Sequence, residues 1–253
     1  MRFECEDIPE ETLIFHKKIG EGVSATVWLA EDRDTHELYA VKSFKAIRSR
    51  HNQFRKEVGN LIFLNARDPG NKFVPKLYGI INEKTRLCIV MELIRGRTVS
   101  QELLRSPYEN AGLPMTSIRS TVRSILETLR FMSSDSIRMV HCDIKPENIL
   151  IVKERAREKA VLIDFGLASR EQKMQNMYVQ SRWYRSPEVL LGIPASIQAD
   201  MWSLGCLLVE MFCGICPFRG KDSLDQMLLI VDALGMPPEH MTGRSRDVLL
   251  GCN

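Results

Sequence analysis

The chain lacks several features, and each absence closes off a class of protein. No uninterrupted apolar run reaches the roughly 18 to 20 residues that a bilayer-spanning helix needs, and the opening Met1-Arg2-Phe3-Glu4 carries no signal-peptide pattern. The expectation is an intracellular protein, cytoplasmic or nuclear, without membrane contact. A dominant charge is missing too: 35 Lys and Arg against 32 Asp and Glu leave a net +3, and the basic residues are spread along the chain. That balance does not imply nucleic-acid binding, and a cluster such as Arg48 to Arg50 reads as solvated surface. A disulfide framework is also absent. Seven irregularly spaced cysteines leave at least one thiol unpaired and point to reduced thiols. Cys213-Gly214-Ile215-Cys216 has C-x-x-C spacing, but it closes the apolar run Leu204 to Phe212 and has neither a second pair for zinc nor a thioredoxin-like strand beside it. There is no internal repeat and no low-complexity segment.

With 44% hydrophobic residues, a chain of 253 residues can bury a sizeable core in one large domain or two lobes. Strand patterns run over Leu13 to Ile19, Thr26 to Ala30, Leu38 to Phe44, Leu77 to Ile81 and Leu87 to Met91. One helix interrupts them, about Asn52 to Leu64, with Phe54, Val58, Leu61 and Ile62 near one face. After Gly96 the pattern turns helical, most clearly over Ser117 to Met132 and Ala199 to Phe212. A sheet-rich first third and a helical remainder predict an α+β chain of two lobes, joined near Glu92 to Arg95 with a cleft between them.

The chemistry is concentrated in His141-Cys142-Asp143-Ile144-Lys145-Pro146-Glu147-Asn148, a run of turn formers that feeds the apolar Ile149-Leu150-Ile151, and in Asp164-Phe165-Gly166. Alone, Asp-Phe-Gly reads equally well as a turn beside a core phenylalanine. In company the residues make a set: Asp143 can accept a proton from a hydroxyl, Lys145 can neutralise a moving phosphate, and Asn148 and Asp164 offer oxygens to hard cations. The set points to phosphoryl transfer.

Ile19-Gly20-Glu21-Gly22-Val23-Ser24-Ala25-Thr26-Val27 supplies G-x-G-x-x-A between two strand candidates. Glycines let backbone N–H groups approach phosphates, and Val27 can pack against a base; by itself the segment also fits an ordinary tight hairpin. On the next strand, the Lys42 ammonium emerges from apolar Ala40-Val41 and needs an anionic partner.

These motifs, taken together from about Leu13 to about Met241, resemble the eukaryotic protein kinases. Tyr178-Val179-Gln180-Ser181-Arg182-Trp183-Tyr184-Arg185-Ser186-Pro187-Glu188-Val189-Leu190-Leu191-Gly192 is similar to the branch of cyclin-dependent, mitogen-activated and dual-specificity tyrosine-regulated kinases, and most like the last group. Homeodomain-interacting kinases are similar at the same positions, and Thr26-Val27-Trp28-Leu29 resembles SR-protein kinases. The resemblance implies a bilobal kinase fold: residues 1–12 an extension, 13–92 a small antiparallel-sheet lobe, and 93–253 a larger helical lobe lacking its last helices. It implies ATP and Mg2+ as cofactors and protein serines or threonines as substrates, with proline after the target residue, in a monomer.

Carried over by position, the resemblance makes Asp143 and Lys145 catalytic and pairs Lys42 with the α- and β-phosphates and with Glu57. It assigns Ile19, Gly20, Glu21, Gly22, Val23, Val27, Ala40 and Leu150 to the nucleotide, Met91 to the gatekeeper position, and the backbone of Glu92 and Ile94 to adenine. Asn148 and Asp164 become the metal ligands, and Leu61, Leu77, Phe165 and His141 a stack anchored by Asp200. Cys142 stands where many kinases have an arginine, and cysteine cannot hold a phosphorylated segment by a charged pair. Tyr178 matches an autophosphorylated tyrosine, with Arg182 and Arg185 close enough in sequence to cradle its phosphate. Simple packing of the tyrosine ring by those arginines is the competing reading. The first tyrosine of that group's Tyr-x-Tyr is Asn176 here. The arginine that would pair with Glu188 falls beyond Asn253, so Glu188 is expected to be unpaired and the helical lobe to expose apolar surface. A nucleotide-binding scaffold or pseudokinase that needs a partner or the missing C-terminal helices for activity is therefore the alternative function.

Overall fold

The computed structural model describes residues 5–22, 25–44, 50–83, 86–105, 112–154, 157–174 and 178–241; Val23 and Asn176 lie outside them. The chain divides between Arg95 and Gly96 into two compact units.

The first unit is a six-stranded sheet with one helix. Its strands are β1 (Glu6–Asp7), β2 (Leu13–Glu21), β3 (Ala25–Asp32), β4 (Leu38–Phe44), β5 (Leu77–Asn82) and β6 (Leu87–Glu92), in the order β1-β5-β6-β4-β3-β2, and α1 is Arg50–Asn65. Side chains alternate across a strand, so each face follows from the register. Tyr39 and Val41 of β4 share one face with Leu13, Ala30, Ile81, Cys88 and Val90, which form an apolar cluster. The opposite face carries Val27 paired with Lys42, Lys42 paired with Ile89, and Ala40 paired with Met91. On α1, the buried positions Phe54, Glu57, Val58, Leu61 and Leu64 follow helical spacing, so Glu57 lies in an otherwise apolar stripe. Asn65 ties the end of this helix to β5, accepting from Leu77 N–H at 2.9 Å and donating to the Pro75 carbonyl at 3.1 Å.

One strand was not legible in the sequence. The sheet is antiparallel except at its edge, where β1 pairs in parallel with β5, Glu6 opposite Gly79 and Asp7 opposite Ile80. Part of the expected N-terminal extension therefore belongs to the sheet. Two exposed acidic residues have no alternation to read, and the pairing depends on Gly79, where a Cβ would stand 2.5 Å from the Glu6 carbonyl.

The second unit contains β7 (Arg97–Thr98), α2 (Val99–Leu103), α3 (Met115–Met132), β8 (Met139–Val140), β9 (Ile149–Glu154), β10 (Arg157–Leu162), β11 (Ser169–Arg170), α4 (Pro187–Leu190), α5 (Ile197–Cys213) and α6 (Ser223–Leu234). It is less purely helical than its pattern predicts: β10-β9-β7 form a small sheet, and β8 pairs with β11. Its core joins Ile118, Ile125 and Leu129 of α3 to Ile149 and Ile151 of β9 and to Leu204, Leu207 and Met211 of α5. Each such side chain contributes about 1.5–3 kcal/mol by leaving water. The helix ends use ordinary devices: a capping box between Thr98 and Gln101, and Gly214 in the left-handed region (φ 78°) after α5. That glycine separates exposed Cys213 from buried Cys216, and both are free thiols. On α6, Leu224, Leu228 and Leu234 are exposed, and Glu188 has no ion-pair partner among the described residues. Among the described residues no helix is long and apolar enough to cross a membrane.

Candidate active site

In the first unit the Lys42 ammonium meets both oxygens of Glu57, at 2.7 and 2.8 Å, and both side chains are buried. Glu57 is held inward by the apolar spacing of α1, and Lys42 by the register of β4. A buried carboxylate and ammonium are tolerable only as a pair. On the same face Val27, Ala40 and Met91 make an apolar platform beside the lysine. Ile19 at the end of β2 is exposed, as is Glu21. Gly20 and Gly22 have room for a Cβ, whose nearest neighbours would lie at the ordinary separations of 3.5 and 3.6 Å. The packing of the sheet does not itself require glycine at either position. The Ile94 N–H has no hydrogen-bond partner among the described residues, while Glu92 N–H is taken by the Lys76 carbonyl at 2.9 Å.

In the second unit the segment from His141 to Asn148 is fixed at both ends. Pairing of β8 with β11 holds its start, and Asp200, in the first turn of α5, accepts the N–H of His141 at 2.6 Å and of Cys142 at 2.9 Å. Cys142 has a φ of 65°, a conformation that a non-glycine residue keeps only where its surroundings hold it. Burial pushes the Asp200 carboxyl up to about 7 against those two N–H bonds, and pushes His141 down to about 4 against the nearby Asp143 and Asp164 carboxylates. The His141 ring meets Phe165 edge-on with centroids 5.0 Å apart.

Around Asp143 the polar groups converge. Lys145 Nζ donates to Oδ2 at 2.8 Å, and Asn148 Nδ2 donates to the same oxygen and to the Asp143 carbonyl, each at 2.8 Å. The Ser181 hydroxyl donates to Oδ1 at 2.7 Å, with Lys145 Nζ 3.2 Å from its oxygen. The Asn148 amide thus faces Asp143 with its nitrogen and leaves its Oδ1 for a cation. Asp164 has a φ of 65° and accepts Gly166 N–H at 3.2 Å, and Ile163 N–H bonds the Asn148 carbonyl at 2.9 Å, which ties the two acidic segments together. No three His, Cys, Asp or Glu side chains among the described residues form a ready metal cage.

Residues 13–246 match the protein kinase domain. The chain belongs to the protein kinase family. It is 36% identical over 225 residues to serine/threonine-protein kinase ppk15 of Schizosaccharomyces pombe and 37% identical over 225 residues to dual specificity protein kinase YAK1 of Saccharomyces cerevisiae. Each match covers 88% of this chain but only 41% and 27% of the respective relative, so the chain spans less than half the length of either.

Within this kinase domain, Leu150 sits on β9 between buried Ile149 and Ile151, half-buried and facing the other way. The segment from Tyr178 to Ser186 contains two polar residues that the sequence reading did not assign. Ser181 is one; its contact with Asp143 spans 38 residues, and no spacing rule reports it. Gln180 is the other: buried, with a φ of 69°, it donates to the Ala199 carbonyl and Ser203 Oγ at 2.9 Å and accepts from Ser186 N–H at 3.0 Å. Arg185 spends its guanidinium on the Val179 carbonyl at 2.9 Å, the Gln180 carbonyl at 2.7 Å and the Tyr178 hydroxyl, and lies 3.8 Å from the Tyr178 ring centroid. Arg182 instead donates to the Lys221 carbonyl. Cys142 joins an apolar cluster with Met174 and Val179, so packing holds this segment where an arginine would use charge.

Proposed function

We propose that this chain transfers the γ-phosphoryl group of ATP to serine and threonine hydroxyls of proteins. The observation that carries the reading is the Ser181 hydroxyl on Asp143 Oδ1 with Lys145 beside it, because the same carboxylate and ammonium suit an incoming alcohol. Bound ATP with magnesium supplies the phosphoryl group and a charge-neutralising cation, for which Asn148 and Asp164 are the protein oxygens. Asp143 orients the acceptor hydroxyl and takes its proton as the new P–O bond forms and ADP departs. Lys145 offsets negative charge at the acceptor, and Lys42, held by Glu57, does so at the α- and β-phosphates. Gly20 and Gly22 bring backbone N–H groups near the phosphates. Val27, Ala40, Met91 and Leu150 offer apolar contact to the base, and Ile94 N–H offers it a donor. The test is magnesium-dependent transfer of labelled phosphate to serine and threonine peptides, with Asp143→Asn beside the parent chain. Turnover retained by the variant rejects the assignment.

The proposed preference for proline after the target draws support from the Gln180 carbonyl, which already accepts from Arg185. A substrate N–H arriving there meets a carbonyl already engaged by a guanidinium, whereas proline brings no N–H to satisfy. Tyr178, with Arg185 on its hydroxyl, is the proposed site of tyrosine autophosphorylation. A second reading, nucleotide binding without turnover, draws on exposed Leu224 and Leu228 and on Glu188, which has no ion-pair partner among the described residues. ATP binding by a folded chain that transfers no phosphate would favour it.

A further inference from the structure

We propose that Ser223, at the first position of α6, is a positioning residue that holds the phosphate of Tyr178 and thereby fastens the activation segment to α6. The proposal rests on the autophosphorylation of Tyr178. In that step the γ-phosphorus of ATP bonds to Tyr178 Oη as its bond to the bridging oxygen of departing ADP breaks, and the phenol proton passes to solvent.

The Tyr178 side chain is exposed, yet its hydroxyl is not idle: it meets Ser223 Oγ, 45 residues away, and receives Arg185 Nη1. The oxygen that would carry the phosphate therefore already lies where a cation and a second hydroxyl converge. Arg182 reinforces the same junction from the other side by donating to the Lys221 carbonyl, two residues before Ser223. The acids beside Ser223 are engaged elsewhere, Asp222 with Asp225 N–H at 2.9 Å and Asp225 with Lys221 N–H at 2.8 Å, so Ser223 Oγ is not drawn away by them.

Phosphorylation changes what Ser223 can do. Between two hydroxyls, one proton is shared and either oxygen can donate. A phosphate offers only acceptors, so the serine becomes the donor of a charge-assisted bond, roughly twice as strong as a neutral one. Arg185 remains on the other side, packed over the ring. Together they turn an ordinary surface contact into a clamp that strengthens with the modification.

The experiment compares the full chain with Ser223→Ala, Ser223→Thr and Ser223→Asp, each also in a Tyr178→Phe background. Peptide mapping measures Tyr178 phosphate, a tyrosine phosphatase then removes it over time, and thermal unfolding is followed throughout. Ser223→Thr should match the parent, Ser223→Ala should lose the phosphate about tenfold faster, as expected for one lost hydrogen bond to a charged group, and Ser223→Asp faster still. Ser223→Asp adds an acid to the first turn, which helices favour, so it also guards against a simple folding defect. In the Tyr178→Phe background the substitutions should leave unfolding unchanged. Equal phosphatase rates for parent and Ser223→Ala at equal Tyr178 phosphate overturn the role of Ser223. Active enzyme with no phosphate on Tyr178 overturns the autophosphorylation reading instead, and this proposal with it.

Discussion

Lys42 and Glu57 form a two-pronged ion pair inside the first unit, with the ammonium 2.7 and 2.8 Å from the carboxylate oxygens. The apolar stripe of α1 gives Glu57 no route to solvent, so the pair is a condition of packing as well as a candidate phosphate contact. Glu57→Ala leaves a buried ammonium and should cost about 3–5 kcal/mol of stability. The double variant Lys42→Met with Glu57→Ala should recover much of that loss while remaining inactive. Urea unfolding of the three proteins checks this; a double variant no more stable than Glu57→Ala contradicts it.

Ser181 should matter to turnover through its bond to Asp143. Ser181→Ala removes one hydrogen bond to a carboxylate and frees Lys145 of a neighbour, a loss worth about tenfold in kcat. Ser181→Thr keeps the hydroxyl and should restore activity. Steady-state kinetics on one peptide decides, and equal kcat for serine and alanine at 181 removes the residue from the mechanism.

Gly20 and Gly22 tolerate a Cβ as far as the sheet is concerned. Gly20→Ala with Gly22→Ala should therefore leave thermal unfolding unchanged while weakening ATP binding about tenfold, the equivalent of one impeded phosphate contact. Calorimetric titration with ATP is the measurement. Unaltered affinity would mean the loop is a plain hairpin.

The candidate catalytic run was legible because its residues are close in sequence: Asp143, Lys145 and Asn148 fall within six residues, and β9 follows at once. Strand β4 was legible end to end because its apolar run Leu38-Tyr39-Ala40-Val41 is short, is closed by Phe44 and holds neither glycine nor proline. What escaped was long-range or backbone-driven. The β1 edge strand depends on the missing side chain of Gly79, Gln180 on a left-handed backbone, and Ser181 on a contact between distant segments. Of the two arginines that follow Tyr178, Arg185 donates to its hydroxyl and Arg182 to the Lys221 carbonyl, a difference that sequence proximity does not report.

Proline preference should reduce to the absence of an N–H. Arg185 occupies the Gln180 carbonyl at 2.7 Å, so an amide delivered there pays about 1–3 kcal/mol for lost hydration. Peptides with proline or N-methylalanine after the target serine should share a high kcat/KM, and the alanine peptide should fall roughly 5- to 150-fold below both. An N-methylalanine peptide as poor as alanine would instead assign the preference to the proline ring.

His141 and Asp200 titrate in opposite senses. Burial holds His141 at about 4 against an ordinary 6.5, so its contribution to stability is complete above about pH 6.5 and is lost as pH falls toward 4. Asp200, raised to about 7 from 3.8, contributes most at low pH and loses that contribution as pH rises through 7. The two partly cancel in the parent chain, which hides both. His141→Asn removes the first and leaves the second. Its stability deficit relative to the parent should therefore narrow by about 2 kcal/mol between about pH 7.5 and pH 5, because only the parent must then hold a neutral imidazole against the proton. Denaturant unfolding at the two pH values measures the change. A deficit constant with pH would mean that His141 is not kept neutral by its burial.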